Sequence, residues 1–313
     1  MSALTTLPMR DGAITVTALI DLYMSHYAGR DTTRVQRLTW WSNQVGAMRL
    51  DELSDDQVHA SLEALMRRAS RYYAGKDADG RAIYKAKHKP MAPATVNRYS
   101  AALAAVITWA IKRRIAPKGY VHPCRSIESQ AENNEKTRFL TQDECTRLLE
   151  ACKASKWRRL YLLVLMALST GALRGELLGL RWADVDLVQR VAHVGRSKNG
   201  DPKVLPIIPA VAEQLAAFAG APSALVFAST RVPGKAYSFE TRWSEVLKAA
   251  QIREFTFHGL RNSCASFLVQ NGATLVQVAD LLGHRQISMS RRYAHLASGD
   301  RSALVNRVLG ELR

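Results

Sequence analysis

Residues 255–296 read FTFHGLRNSCASFLVQNGATLVQVADLLGHRQISMSRRYAHL, and the spacing of their polar residues decides how the chain is interpreted. His258 and Arg261 lie three residues apart, so a helix places the imidazole and the guanidinium on one face. Gly283 precedes His284 where the next predicted helix ends, and Tyr293 follows nine residues later. Such a set suits a phosphodiester substrate. A guanidinium binds two phosphate oxygens, imidazoles donate hydrogen bonds or move protons, and neighbouring cations favour the phenolate of a tyrosine nucleophile.

Each of these features has a simpler interpretation when it is taken alone. His-x-x-Arg is more often a surface pair, Gly-His at a helix end is usually a C-cap, and a lone tyrosine in a helix usually packs in the core. Upstream, Lys198 lies at the tip of the hairpin that Asn199-Gly200 predicts, where a lysine is by default a solvated turn residue. On a flexible tip it could instead protonate a leaving 5′ oxygen. The combination, in this order and spacing, favours the functional interpretation.

The charge of the chain points to a polyanionic partner. Its 313 residues include 44 Lys and Arg against 27 Asp and Glu, which gives a net charge of +17. The excess of basic residues is spread over the N-terminal and C-terminal halves of the chain, as expected for a protein that binds DNA with two domains. Charge alone does not exclude the alternative, a merely soluble basic protein.

Cysteine usage and hydropathy predict a reduced, cytoplasmic protein without membrane association. The four cysteines form no Cys-x-x-Cys pair, and the first eleven residues lack the pattern of a signal peptide. The longest apolar run, residues 160–168, is too short to span a bilayer and is typical of a buried helix.

Hydrophobic periodicity predicts a mainly α protein with a small antiparallel β-sheet, which we place within residues 191–207. The predicted segments are a loose N-terminus over residues 1–12, a helical domain over residues 13–120, a linker over residues 121–136 and a larger domain over residues 137–313. In the tail, residues 300–313 carry apolar residues at helical spacing. The helix they predict either packs on its own domain or exchanges with a neighbouring protomer.

Residues 72–90 form a basic segment with two glycines and few apolar residues, which we interpret as a loop or small hairpin. One interpretation is an arm that contacts DNA phosphates, and the other is a solvated surface insertion. The candidate DNA-binding residues are Lys76, Arg81, Lys85, Lys87, Lys89 and, on the helix predicted next, Arg98.

The motifs H-x-L-R, L-G-H and Tyr together resemble the C-terminal signature of the tyrosine site-specific recombinases, the lambda-integrase-like phage integrase family. The matching residues are His258, Leu260, Arg261, Leu282, Gly283, His284 and Tyr293. Residues 170–186 resemble the first arginine motif of the family, residues 197–200 the hairpin with the catalytic lysine, and residues 138–140 the start of the catalytic domain. The resemblance implies a helical core-binding domain, matched in pattern only, followed by a tyrosine-recombinase catalytic domain.

The resemblance also implies a chemistry that needs no metal and no nucleotide cofactor. Tyr293 would attack the scissile phosphate, form a 3′-phosphotyrosyl link and release a 5′ hydroxyl, with Lys198 as the general acid. Rejoining would follow when a 5′ hydroxyl of the partner duplex attacks that link. Glu176 would be structural and would support the active-site arginines. The residues implied to bind and activate the phosphate are His258, Arg261 and His284.

The implied partner is double-stranded DNA, on which four protomers of a chain that is monomeric in solution assemble over two sites. Accessory DNA-bending or directionality proteins are further implied partners. Two other functions fit the same residues. One is a non-catalytic DNA-binding protein derived from an integrase. The other is a type IB topoisomerase, against which the two-domain layout and the Leu-Gly-His motif argue.

The first arginine motif departs from the family pattern T-G-x-R-x-x-E. Counting from Thr170 and Glu176, the arginine position is Leu173, and Arg174 comes one residue late, which turns a helical side chain by about 100°. Either the turn is adjusted so that Arg174 reaches the site, which makes it a catalytic candidate, or the chain is impaired. Losing one preorganised contact costs about 3–4 kcal/mol. A second departure, Asn262 where the family often has histidine, we place outside the catalytic set.

Overall fold

The computed structural model describes residues 13–77, 79–132, 138–195 and 202–296. The chain divides into two compact units, Met1–Asn134 and Glu135–Arg313. The predicted mainly helical class with small antiparallel sheets is confirmed. Three predictions concern positions outside the described residues, namely the loose start over residues 1–12, the hairpin tip with Lys198 and the tail helix over residues 300–313.

The first unit contains four α-helices in its described part. They are α1 (Val16–Ser25), α2 (Arg34–Val45), α3 (Asp55–Arg67) and α4 (Pro93–Lys112). Three of them begin at start signals in the sequence. The Thr15 side chain accepts from the N–H of Ala18, the Gln57 side chain accepts from the N–H of Ser54, and Pro93 occupies the first position of α4. The core includes Trp41 of α2, which is fully buried and donates from its indole N–H to the carbonyl of Tyr99 on α4.

The basic segment between α3 and α4 is an antiparallel hairpin, formed by β1 (Ala69–Lys76) and β2 (Ala82–Pro90). Its turn is held by Asp77, whose Oδ1 accepts from the backbone N–H groups of Asp79 at 3.0 Å and Arg81 at 2.7 Å. A hairpin is one of the two structures that the composition predicts for this segment. The other, an irregular loop, is wrong because the chain pairs along both strands.

The segment predicted as a linker is bound to the first unit over much of its length. Ser126 Oγ donates to Asp55 Oδ2 at 2.9 Å, and the Asn97 amide exchanges two hydrogen bonds with the backbone of Gln130. The same amide also donates to Glu132 Oε1 at 2.8 Å. The division between the units therefore falls near the end of the predicted linker, after Asn134, and its first part belongs to the first unit.

The second unit surrounds one apolar helix with helices and a small sheet. Its α-helices are α5 (Gln142–Lys153), α6 (Leu160–Thr170), α7 (Arg174–Leu178), α8 (Pro209–Ala217), α9 (Glu240–Ala249), α10 (Gly259–Gln270) and α11 (Leu275–Leu282). Its antiparallel sheet has the order β3 (Val185–Asp186), β4 (Val191–Val194), β5 (Lys203–Pro206). Tyr293 lies on the segment Ile287–Leu296, which is wound as a 3-10 helix.

Helix α6 is the centre of the second unit. Almost every residue between Leu160 and Ala167 is buried, whichever face it lies on, because α5, α8 and α10 pack around the helix. This agrees with the buried helix predicted from the apolar run. Over the part of the chain that the structure describes, no helix has both the length and the apolar character needed to cross a bilayer.

Candidate active site

The C-terminal end of α6 forms one wall of the site. Helix α6 ends at Gly171, whose φ of +60° is the left-handed conformation that glycine adopts without strain. A Cβ atom at this position would collide with the side chain of Leu282. The glycine therefore both terminates α6 and lets the end of this helix lie against Leu282, the last residue of α11.

Arg261 is fixed between the ends of two helices. It lies on α10, is only 8% exposed, and donates from Nη1 to the carbonyl of Gly171 and from Nη2 to the carbonyl of Leu282, both at 2.7 Å. Both acceptors lie where the partial negative charge of a helix dipole accumulates. Burial lowers the pKa of Arg261, and the nearby Glu176 carboxylate opposes that effect. The guanidinium remains charged, because its usual pKa is far above neutral.

Tyr293 is buried with its hydroxyl directed at a neighbouring amide. The residue is 2% exposed, and its hydroxyl donates to Asn262 Oδ1 at 2.8 Å. Burial raises the pKa of Tyr293, while Arg292 and Arg261 act in the opposite direction. Asn262, which the sequence interpretation placed outside the catalytic set, is therefore the hydrogen-bond partner of the nucleophile candidate.

His284 follows directly on the end of α11, where Gly283 adopts a φ of +69°. Its Nδ1 lies 2.7 Å from Ser290 Oγ. Burial lowers the pKa of His284 to about 4, with further lowering by nearby cations, of which Arg261 is the first. The imidazole is therefore neutral at pH 7 and holds its orientation through the serine.

These side chains line one cavity of about 960 Å³. Four catalytic candidates from the sequence line it, namely His258, Arg261, His284 and Tyr293. The cavity walls also carry other charged groups. The charged, polar and aromatic residues that line it are Glu176, Lys203, His258, Arg261, Asn262, Asp280, His284, Arg285, Arg292 and Tyr293. Counting Lys and Arg against Asp and Glu, four cations face two acids among these residues, so the lining favours an anionic ligand.

Arg174 is the sequence candidate that the structure does not bring to this cavity. Its Nη1 donates to Glu240 Oε1 at 2.9 Å, and its side chain is 55% exposed. Leu173 lines the cavity instead, and its backbone N–H donates to Glu176 Oε2 at 2.9 Å. Leu173 precedes α7 with an extended backbone, and Arg174 is the first residue of the helix, so the two neighbouring side chains reach different surroundings. Arg174 lines a neighbouring pocket of about 610 Å³ together with Leu173, His258 and Arg261.

Lys203 is a cavity residue that sequence reasoning missed. It is the first residue of β5, and its Nζ lies 3.4 Å from the carbonyl oxygen of Leu282 and 3.9 Å from Glu176 Oε2. Burial lowers its pKa. A lysine at the start of a short strand carries no signal of its own in the sequence. The predicted catalytic lysine, Lys198, lies outside the described residues.

The candidate DNA-binding residues of the first unit lie largely on its surface. Side chains described as exposed are those of Arg81, Lys85, Lys87, Lys89 and Arg98. Lys76 is the last residue of β1. Arg98 Nη1 donates to the carbonyl of Ala94 on its own helix. The exposed positions leave their charged groups accessible to a ligand.

Potential metal ligands do not cluster in the described ranges, where no three His, Cys, Asp or Glu side chains come together. The cavity lining carries Lys and Arg side chains and two histidines, and such cationic and imidazole groups can donate hydrogen bonds to a phosphate.

Comparisons with known proteins identify the family of the chain. A family model described as "Phage integrase family" matches residues 138–299, just over half of the chain. The integrase of Salmonella phage P22 is 27% identical over 281 residues, which cover 83% of this chain and 70% of that protein. Three further curated relatives are matched over 44%, 58% and 48% of their own lengths.

Solved structures share the fold over both units. The Tn1549 transposon integrase in complex with a circular intermediate DNA gives a TM-score of 0.71 at 17% identity, covering 94% of this chain and 99% of that one. A lambda integrase tetramer bound to a Holliday junction gives a TM-score of 0.64 at 19% identity, covering 89% and 80%. The motif residues between Thr170 and Tyr293 lie inside the stretch that the family model matches. The chain belongs to the phage integrase family of tyrosine site-specific recombinases.

Proposed function

We propose that the cavity of the second unit binds a DNA phosphodiester and that Tyr293 attacks its phosphorus to form a 3′-phosphotyrosyl link. The observation that carries the proposal is the convergence of Tyr293 with His258, Arg261 and His284 on one basic cavity of about 960 Å³. His258 and Arg261 lie at the start of α10, His284 follows the end of α11 and Tyr293 lies on the 3-10 helix. The meeting of these three elements is therefore a property of the fold.

Arg261 is the fixed cation of the proposed reaction. Its two contacts with helix carbonyls hold the guanidinium in place before substrate arrives, and the remaining N–H groups of the guanidinium are left for phosphate oxygens. His258 and the neutral His284 supply further hydrogen bonds to the phosphate. A bound phosphate would raise the pKa of His284 again, because a neighbouring anion favours the imidazolium.

The nucleophile requires activation in this arrangement. With the pKa of Tyr293 raised by burial, the resting hydroxyl is a neutral phenol that donates to Asn262. Attack forms the bond between Tyr293 Oη and phosphorus, breaks the bond to the 5′ oxygen and releases the phenolic proton to water. The leaving 5′ oxygen takes up a proton, for which Lys198 is the proposed donor.

Leu173 lowers the expected rate without removing the chemistry. The missing guanidinium costs about a hundred- to a thousandfold in rate by analogy with other preorganised donors. This observation favours the second candidate function, a DNA-binding protein derived from an integrase that no longer cuts. Relaxation of supercoiled plasmid without a specific site would instead support a type IB topoisomerase.

The first unit is proposed to hold the DNA through its hairpin. Lys85, Lys87 and Lys89 occupy alternate positions of β2 and are exposed, which suits contacts with successive backbone phosphates. Double-stranded DNA is thus the proposed partner of both units. The lambda integrase tetramer bound to a Holliday junction supports assembly of four protomers on DNA. Accessory DNA-bending or directionality proteins are further proposed partners.

A covalent trapping assay tests the proposed function. Nicked duplexes of randomised sequence lose a short 5′-hydroxyl fragment after cleavage, so a protein that cuts them stays attached. We expect the wild-type chain to yield a covalent adduct that resists denaturant and is absent in Tyr293→Phe. Noncovalent binding by both proteins without any adduct would support the non-catalytic alternative and contradict the proposal.

A further inference from the structure

The floor of the cavity carries more buried positive charge than buried negative charge. Arg261 is 8% exposed, and the side chains of Lys203 and Glu176 are 9% and 7% exposed. Two cations thus face one carboxylate, and His284, with a pKa of about 4, adds no charge at pH 7. Among the described residues that line the cavity, the other acid is Asp280, which is exposed.

A buried excess charge destabilises the fold unless an anion neutralises it. A phosphodiester carries a single negative charge, which balances the excess at the cavity floor. Burial lowers the pKa of Lys203, because it holds that ammonium away from water, while Glu176 opposes this effect and Arg261 adds to it.

Lys203 and Arg261 approach the same backbone oxygen from different elements. The carbonyl of Leu282 accepts from Arg261 Nη2 at 2.7 Å and from Lys203 Nζ at 3.4 Å. The two cationic groups are therefore close neighbours at the end of α11, although they belong to α10 and β5. One phosphate group is large enough to contact both.

The contacts of Lys203 are long compared with those of Arg261. An ammonium has three N–H donors, and the two described partners of Lys203 lie at 3.4 and 3.9 Å. Charge-assisted hydrogen bonds in proteins are typically about 2.7–2.9 Å long. A phosphate oxygen could therefore replace these weak contacts at little cost, whereas Leu173 on the same cavity wall offers no donor from its side chain.

We propose that Lys203 is the second phosphate-binding cation of this chain, which contacts a non-bridging oxygen of the scissile phosphate beside Arg261. This inference rests on the proposed function and adds a residue to it. In the covalent step, Tyr293 Oη joins the phosphorus and the 5′ oxygen leaves. Lys203 donates a hydrogen bond in this step and keeps its proton. The lysine supplies charge in a cavity where residue 173 supplies none.

The competing explanation is structural, because Lys203 also neutralises the buried Glu176. A double-mutant cycle separates the two roles. The rate of covalent adduct formation is measured, on duplexes selected by trapping, for the wild type, Lys203→Met, Leu173→Arg and the double variant. We expect Lys203→Met to lower the rate about a hundredfold in the wild-type background. The loss should be about tenfold or less in the Leu173→Arg background, where the introduced guanidinium supplies a second cation.

Equal losses in both backgrounds, or no loss in the wild-type background, would overturn the inference. Glu176→Gln combined with Lys203→Met provides the matched control, since it removes both charges together. A structural role predicts that this pair regains the wild-type rate, whereas phosphate binding predicts that it stays as slow as Lys203→Met. Lys203→Arg keeps the charge and is expected to retain most of the activity.

If no variant forms an adduct, the proposed function itself is refuted. A second measurement tests the inference about Lys203 independently of adduct formation. Inorganic phosphate stabilises a protein that binds it in the folded state, so the melting temperature of the full chain is followed during a phosphate titration. We expect Lys203→Met to lose at least half of the phosphate-dependent rise, and the surface variant Lys248→Gln to keep it. An equal rise in Lys203→Met and the wild type would overturn the proposal.

Discussion

The cavity of the second unit and the hairpin of the first unit use the same residue types in opposite ways. In the cavity, Arg261 is 8% exposed and is held by two carbonyl contacts of 2.7 Å. On the hairpin, Lys85, Lys87 and Lys89 extend from alternate positions of β2 into solvent. A count of charges along the sequence does not distinguish these two groups of cations.

The difference lies in how strongly the protein holds each charge. A buried, prepositioned cation acts in a medium of low dielectric constant and needs no rearrangement when negative charge develops in a transition state. An exposed lysine is screened by salt and contributes mainly by releasing counterions from DNA. Loss of a cavity cation should therefore change rates by orders of magnitude, and loss of a hairpin lysine should change only affinity, by a small factor.

The largest effect is expected for Arg261→Gln. The variant removes the fixed cation, leaves the carbonyl of Gly171 without its charged donor and leaves that of Leu282 with only the longer contact to Lys203. We expect the rate of covalent adduct formation to fall by about a thousandfold or more, and the melting temperature to fall as well. Arg253→Gln, on the surface of the same unit, is the control and should match the wild type. A rate within about tenfold of wild type in Arg261→Gln would show that the cavity is not the site of DNA cleavage.

The next largest effect is a gain, expected for Leu173→Arg. Leu173 lines the cavity, so an arginine there should add a guanidinium close to Glu176 and the phosphate. We expect the rate of adduct formation to rise about a hundredfold. Leu173→Met keeps the apolar character and serves as the control. No gain from the arginine would mean that the chain already reaches its full rate without a cation at position 173.

A smaller effect, on pH dependence, is expected for Asn262→Asp. A carboxylate that accepts from the Tyr293 hydroxyl raises the phenol pKa further, because it disfavours a second negative charge beside it. The phenolate fraction at a given pH then falls. We expect about a tenfold lower rate at neutral pH and a rate profile displaced to higher pH.

Asn262→Ala separates the charge effect from the loss of a contact. It removes the acceptor without adding a charge, so its profile should not move to higher pH. Identical profiles for Asn262→Asp and the wild type would show that the hydrogen bond seen at rest is absent when Tyr293 reacts.

The smallest effect is expected on the hairpin. Lys85→Gln or Lys87→Gln should weaken DNA binding a few-fold, similarly for all sequences, without changing the rate of adduct formation at saturating DNA. Each should reduce the slope of log affinity against log salt by about one. Lys118→Gln, an exposed lysine outside the hairpin, should leave the slope unchanged. Unaltered slopes in all three variants would support a solvated insertion instead of a DNA-binding arm.

The sequence predicted those parts of the site that depend on local spacing. The i, i+3 relation placed His258 and Arg261 together, and Gly283 ended α11 directly before His284. The ion pair of Arg174 did not follow from spacing, because its partner Glu240 lies 66 residues away. Periodicity determines which way a side chain points from its own element, and not what it meets on another.

Contacts between elements account for what sequence reasoning missed. Asn262 and Tyr293 are 31 residues apart, and their hydrogen bond depends on how the 3-10 helix packs against α10. Lys203 is 79 residues from Leu282, and only the position of β5 beside the end of α11 directs its ammonium into the cavity. Asn262 directly follows the H-x-L-R motif, but its spacing from Tyr293 indicates no contact, and Lys203 belongs to none of the motifs found in the sequence.

The most direct test of the account is to identify the amino acid that is joined to DNA. The covalent adduct is trapped, digested with protease and nuclease, and sequenced by mass spectrometry. The account predicts a nucleotide phosphate on Tyr293, linked through the 3′ oxygen of the DNA. A phosphate linked to any other residue, or DNA linked through its 5′ end, would contradict it.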